Sequence, residues 1–336
     1  MELTWAKALL LTGGVVLAPV FAIVTSLVFW PGVLLKAYNW YNRRSQGVAV
    51  RYSHSGSYRF CYSTRGTPGG ATPSLLLLHG FGASKDMWLP VVMYLPRNLH
   101  VVCLDMPGHE GTSRTGAEDY SIQGQTRRVH QVVRHGVSLD KSPFHLVGTS
   151  MGGNVAGVYA ALYPADVCSL TLVCPAGLVY PTESSFIALL KELDLEKPVA
   201  PSKPIPLIPT SMQELEAMLK LCCYKPPTIP RQFLRGLLAN RIPNNDFYRE
   251  VFLEIVGEKS RHSLQEHLNL ITAPLQVIWG KNDQILDVSG AAVIQKALPH
   301  CQVDLLDNCG HAIALERPRK FANLVLDFHN KAKKQA

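Results

Sequence analysis

The sequence predicts a doubly wound α/β domain, a mostly parallel central sheet with helices on both faces. Three observations carry that prediction. Short apolar runs recur at 74–79, 100–105, 144–148, 169–174, 275–280 and 302–307. Runs such as SLLLLH lack the apolar–polar alternation of a half-exposed strand, as expected where helices cover both faces of a parallel sheet. Helical patterns near 121–137, 151–163, 289–298 and 317–332 alternate with them, which is the βα rhythm of a layered sheet. Finally, the run at 144–148 ends in a serine fenced by glycines, GTSMG, and a segment rich in small residues follows.

Taken in chain order, the first element is an uncharged run of 28 residues, Ala8–Leu35. About 20 such residues cross a bilayer core. Trp5 stands at one end, and Trp30, Tyr38, Trp40 and Tyr41 at the other, where interfacial aromatics belong. A cleaved signal peptide has a shorter apolar region and a small-residue cleavage site, so we expect a retained transmembrane helix that makes the bilayer a partner through residues 8–35. Lys36, Arg43, Arg44 and Arg51 follow it unopposed, which predicts that the bulk of the chain lies on the cytosolic side. The same cations are attracted to anionic headgroups. Residues 1–85 hold eight Lys or Arg against Glu2 alone, and they account for nearly all of the net charge of +8. Positive charge confined beside an apolar segment, with no nucleic-acid motif, argues against a nucleic-acid partner. The eight cysteines form no CxxC or Cys/His metal spacing, and there is no Asn-X-Ser/Thr acceptor. Free thiols in a reducing compartment follow.

VAVRYS and YRFCYS predict a first hairpin, ahead of the alternating strands and helices. Between about Tyr180 and Leu270 no strand pattern occurs. A proline-rich entry at 197–209 leads into helical patterns in MQELEAMLKLCCYK, PRQFLRGLLANR and NNDFYREVFLEIV. This is a helical cap inserted after the sixth strand, over the carboxyl edge of the sheet where ligands bind. The organisation expected is an anchor and basic juxtamembrane segment at 1–47, then one domain at 48–332 with its cap at about 180–270.

The fenced serine is the chemical centre. Ser150 would occupy a sharp strand-to-helix turn, with Gly148 and Gly152 clearing the space two residues to either side. A lone hydroxyl is a poor nucleophile and needs a base held by a third group, here in the chain order acid, then histidine. Asp283 in GKNDQ and His311 in NCGHAIALERP each follow an apolar strand. Asp287 and Asp307 are rivals for the acid, but the first is farther from its strand and the second too close to His311. His300 and His329 are rivals for the base, but one precedes the last strand and the other lies in the terminal helix. The oxyanion donors expected are the backbone N–H groups of Met151 and of Phe81, the latter in the loop HGFG with Gly80 and Gly82. His79 and His109 read as structural. No metal or nucleotide motif is present, so no cofactor is expected.

Together these residues resemble the α/β-hydrolase superfamily. HGFG, DMPGHEGTSR, GTSMGG, GKND and CGH stand in family order over roughly residues 48–332. With the N-terminal anchor, the chain is similar to the membrane-bound monoacylglycerol lipases of that superfamily. The resemblance implies hydrolysis of monoacylglycerols, including 2-arachidonoylglycerol, and of lysophospholipids, at intracellular membranes such as late endosome or lysosome. The residues alone support a narrower reading, a serine ester hydrolase tethered to a membrane. Two alternatives are a carbon–carbon bond hydrolase, whose small acidic substrates give no reason for an anchor, and a non-catalytic binding protein, which would have no need of a complete triad.

Overall fold

Four consecutive leucines, Leu75–Leu78, lie at the centre of an eight-stranded sheet, each with no more than 1 % of its surface exposed. The computed structural model describes residues 17–25, 29–69, 72–116, 118–137, 139, 141–192 and 205–335. The strands are β1 (Ala49–Ser55), β2 (Tyr58–Arg65), β3 (Leu75–Leu78), β4 (Val101–Leu104), β5 (Phe144–Thr149), β6 (Val167–Val173), β7 (Leu275–Gly280) and β8 (Gln302–Leu306). Their order across the sheet is β1-β2-β4-β3-β5-β6-β7-β8. The β1–β2 hairpin is antiparallel and joins β4 antiparallel; all pairs from β4 through β8 are parallel. Helices Ile122–His135, Met151–Leu162, Ser289–Ala297 and Pro318–Gln335 fall where the sequence puts them. Strands β3 to β7 are thus almost wholly buried and one large core results. The edge strand β8, expected to be covered like them, is only partly buried because it has a neighbour on one side alone.

That core is not purely apolar. His145 on β5, Thr171 on β6, Gln276 on β7 and Asp304 on β8 form a row of hydrogen bonds crossing four strands, at 2.8, 3.0 and 2.8 Å. His145 Nδ1 also meets His329 Nδ1 at 3.1 Å, so His329 belongs to this row. Buried polar atoms with partners cost little; unpaired ones would cost much.

The insertion lies between β6 and β7, as expected. It contains Ser185–Glu192, Met212–Cys222, Arg231–Arg241, Asn245–Val256 and Ser263–His267. Leu215, Met218, Leu234 and Leu238 give this cap a small core of its own. Most of the proline-rich entry, 197–204, lies outside the described residues.

The N-terminal run differs from expectation. Residues 8–16 and 26–28 of the expected span lie outside the described residues. Among the described residues, no helix is long and apolar enough to cross a membrane. Residues 17–25 are helical, but Trp30 leaves helical geometry at φ −125°, ψ 68°, and Pro31 starts a separate helix, Pro31–Ser45. Proline fixes φ and lacks an N–H, so it begins a helix more readily than it continues one. The new helix packs on the cap helix Arg231–Arg241. A Cβ added at Gly236 would lie 2.4 Å from the Pro31 carbonyl oxygen, and Tyr38 meets Phe233 edge-on at 5.3 Å. Arg43 pairs with Asp86 on the main domain. Residues 31–45 are therefore part of the folded body, and the uncharged run does not continue as one helix to Leu35.

Candidate active site

The strand β5 delivers Ser150 into a conformation few side chains tolerate, φ 55° and ψ −120°, immediately before the helix Met151–Leu162. The flanking glycines are needed for steric reasons. A Cβ at Gly148 would lie 2.1 Å from the Gly152 carbonyl oxygen, and one at Gly152 would lie 2.4 Å from that of His79. The tight turn lifts the hydroxyl off the sheet edge and sets it at the positive end of a helix.

Asp283 and His311 are brought together directly. His311 Nδ1 donates to Asp283 Oδ2 at 2.7 Å. The other oxygen, Oδ1, accepts from the N–H groups of Ile285 and Leu286 at 2.8 and 3.0 Å. With its carboxylate so held, Asp283 fixes the imidazole tautomer that leaves Nε2 free to act as a base. The rivals are engaged elsewhere: Asp287 accepts from the Ser289 N–H, Asp307 pairs with Lys281 on the surface, and His329 lies under the sheet beside His145.

The oxyanion loop lies against the serine, with an added Cβ at Gly80 falling 3.2 Å from Ser150 Cβ. The N–H groups of Phe81 and Met151 have no hydrogen-bond partner among the described residues. Two buried histidines shape this loop. His79 Nδ1 donates to the Gly80 carbonyl at 2.7 Å, and its Nε2 accepts from the Met106 N–H at 2.9 Å. His109 Nδ1 donates to the Pro107 carbonyl at 2.9 Å, and its Nε2 accepts from the Gly82 N–H at 3.3 Å. Each ring must be neutral to donate and accept at once. Burial pushes His79 down to about 4 and His109 to about 3, in keeping with that. Both are structural, as the sequence suggests.

Sequence reasoning missed two contributors. Arg241, from the cap, donates to the carbonyls of Gly82 and Leu207 at 2.6 and 2.8 Å. Gly82 needs to be glycine because φ is +63° and the Arg241 guanidinium fills the space beside it. Lys85 and Asp105 form a buried ion pair at 2.8 Å under the same loop. Nothing in local spacing marks Arg241, since its partner is more than 150 residues away.

Above Ser150 lies a cavity of about 640 Å³. Its walls include Phe81, Phe186, Leu190, Phe252, Val256 and Leu286. The Phe81 ring packs on Tyr248 and Phe252 of the cap, with centroids 5.9 and 5.4 Å away. Mostly apolar walls around Ser150, with Glu183, Lys191, Arg261 and His262 also in the lining, suit an apolar chain carrying a reactive carbonyl and a polar headgroup.

A nucleophile on a strained strand–helix turn, with an acid–base pair on the loops after the next-to-last and last strands, defines a serine hydrolase built on an α/β sheet. The chain belongs to the α/β-hydrolase fold family, whose model matches residues 73–318. It is 55% identical over 328 residues to "Monoacylglycerol lipase ABHD6" of Rattus norvegicus and equally to that of Homo sapiens, covering 98% of this chain and 96% of each relative. It is 30% identical over 246 residues to "Lipase 1" of Psychrobacter immobilis, covering 72% of each chain. Among solved structures it resembles a bacterial membrane phospholipase A described as a virulence factor. That match has a TM-score of 0.83 and 28% identity, covering 97% of this chain and 99% of the other.

Proposed function

We propose that this protein is a membrane-anchored monoacylglycerol lipase, which cleaves the ester to release fatty acid and glycerol. The observation that carries it is the mostly apolar cavity of about 640 Å³ that has Ser150 in its lining, room for an acyl chain beside the nucleophile. The 55% identity to monoacylglycerol lipases across nearly the whole chain supports the headgroup. Ser150 Oγ attacks the acyl carbonyl while His311 Nε2 takes its proton, and Asp283 stabilises the imidazolium that forms. The Met151 and Phe81 N–H groups receive the developing oxyanion, and each such donor typically contributes about 2.7–4 kcal/mol in the transition state. His311 then returns the proton to the leaving alkoxide, and water cleaves the acyl-enzyme by the reverse sequence. Lysophospholipids share the single chain and ester and are proposed as further substrates.

Anchoring is part of the same proposal. Leu17 and Phe21, in the described part of the run, expose 66% and 74% of their surface; water would penalise such a helix and lipid would not. With Pro31 starting a helix packed on the cap, we place the span between residue 8 and Trp30, and the catalytic domain on the cytosolic side of an intracellular membrane. Purified full-length protein in detergent should label with a fluorophosphonate at Ser150 and hydrolyse monoacylglycerol among a lipid panel. Absence of labelling would favour a binding protein. Labelling without ester hydrolysis, together with turnover of a vinylogous diketone acid, would favour carbon–carbon bond cleavage.

A further inference from the structure

The loop that carries His311 is fastened to the cap by one side chain that the reaction itself does not use. Glu316 lies in the short helix Ile313–Glu316, just after the histidine. Its Oε1 accepts from the Gly310 N–H at 2.8 Å. Its Oε2 accepts from the N–H groups of Tyr224 and Lys225, at 2.9 and 3.2 Å. Gly310 directly precedes His311, and Tyr224 and Lys225 follow the cap helix Met212–Cys222. One carboxylate thus satisfies three backbone donors from two segments more than 80 residues apart in sequence. The two segments are also in close contact. The Ala312 N–H donates to the Cys222 carbonyl at 2.9 Å, and a Cβ at Gly310 would lie 2.7 Å from the Tyr224 nitrogen. The Arg317 guanidinium, one residue on, donates to the Asn308 carbonyl at 2.9 Å from the loop's other side.

We propose that Glu316 is a positioning residue for His311, setting the height of the imidazole over Ser150 by tying the histidine loop to the cap. The inference rests on His311 being the base. Hydrogen bonds to a charged acceptor are about twice as strong as neutral ones, and a group anchored at both flanks by such bonds loses little freedom. Asp283 fixes the imidazole's tautomer and rotation through Nδ1; it does not fix where the loop's backbone sits. Glu316 does. A second consequence is that displacement of the cap at 222–225 is transmitted to the base, so the site is fully assembled only with the cap seated.

The test uses full-length protein in detergent, with Glu316→Ala, Glu316→Gln and His311→Ala. Four quantities are read on each: kcat and KM on a water-soluble short-chain ester, the rate of fluorophosphonate labelling at Ser150, and the melting temperature. Misplacing a catalytic group by a fraction of an ångström to 1 Å costs up to about a hundredfold in rate. Glu316→Ala should therefore lower kcat and labelling by about tenfold to a hundredfold, with KM within about twofold. Glu316→Gln keeps one acceptor oxygen, able to hold the loop or the cap but not both, and should fall between wild type and Glu316→Ala. If Glu316→Ala does not fold, Glu316→Gln carries the same criteria alone. A folded variant with kcat within about twofold of wild type, or with its loss confined to KM, overturns the proposal. His311→Ala separates the two readings: if it keeps activity, the base assignment fails, whereas an inactive His311→Ala beside unaffected Glu316 variants overturns only the positioning role.

Discussion

Ser150 acquires reactivity from its surroundings more than from its own chemistry. Removing its hydroxyl takes away no core packing, so Ser150→Ala should abolish turnover and probe labelling while melting near the wild-type temperature. Asp283→Asn should cost several orders of magnitude in kcat, about 10⁴ by analogy with other triads, because the amide favours the wrong imidazole tautomer; near-normal activity would remove Asp283 from the site. Steric demand is as specific. Gly152→Ala would press a methyl against the carbonyl oxygens of Leu78, at the end of β3, and His79, at the start of the oxyanion loop, and should cost about 1–3 kcal/mol of stability together with activity. The buried histidines make a prediction about acid. His79 and His109 titrate at about 4 and about 3 in the folded chain, against an ordinary 6.5, because burial penalises the charged ring. Below about pH 6.5 the unfolded chain binds protons that the folded chain refuses, so stability falls as pH drops toward 4. Each histidine adds up to about 1.4 kcal/mol per pH unit to that slope. Unfolding free energies measured between pH 7 and 4.5 should show it, and His109→Gln should show a shallower slope; equal slopes would mean that His109 is not held neutral.

Helices and strands here differ in how far their own sequence specifies them. The strands β3 to β7 are almost wholly buried and mostly apolar, which marks them in the sequence, whereas the cap helices are amphipathic and take their placement from tertiary contacts. The Pro31–Ser45 helix is the clearest instance. It has no buried residue, and its seat on Arg231–Arg241 depends on Gly236, which lets the two backbones approach. Gly236→Leu should lift the helix from the cap and speed trypsin cleavage after Arg43 or Arg44, while the strands of the main domain stay protected. Unchanged proteolysis would show that this packing does not restrain the segment.

At the scale of the molecule, the proposed anchor and the chemistry should be separable, but the cut has to respect the fold. Residues 31–45 pack on the cap and pair with Asp86, so a truncation reaching residue 36 would remove part of the folded body. Truncation after Trp30 should keep hydrolysis of a short soluble ester. It should lose membrane sedimentation and slow attack on monoacylglycerol in vesicles, because the proposed anchor would supply local concentration. Equal loss on both substrates would mean that residues 1–30 support the fold.

The places of the strands along the chain, the place of the cap and the identities of Ser150, Asp283 and His311 as candidates were legible in the sequence; the order of the strands across the sheet was not. Strand burial, turn sterics and chain order act locally, and each leaves a local pattern of apolar runs and glycines. What only the tertiary structure decided are the contacts made between distant segments. Pro31 begins a helix that docks on the cap, Arg241 reaches the Gly82 carbonyl, Glu316 ties Gly310 to Tyr224, and a polar row crosses β5 to β8. A long, flexible side chain can meet a backbone group anywhere in the fold, so its role leaves no spacing to read. The partner is chosen by packing, after the chain has folded.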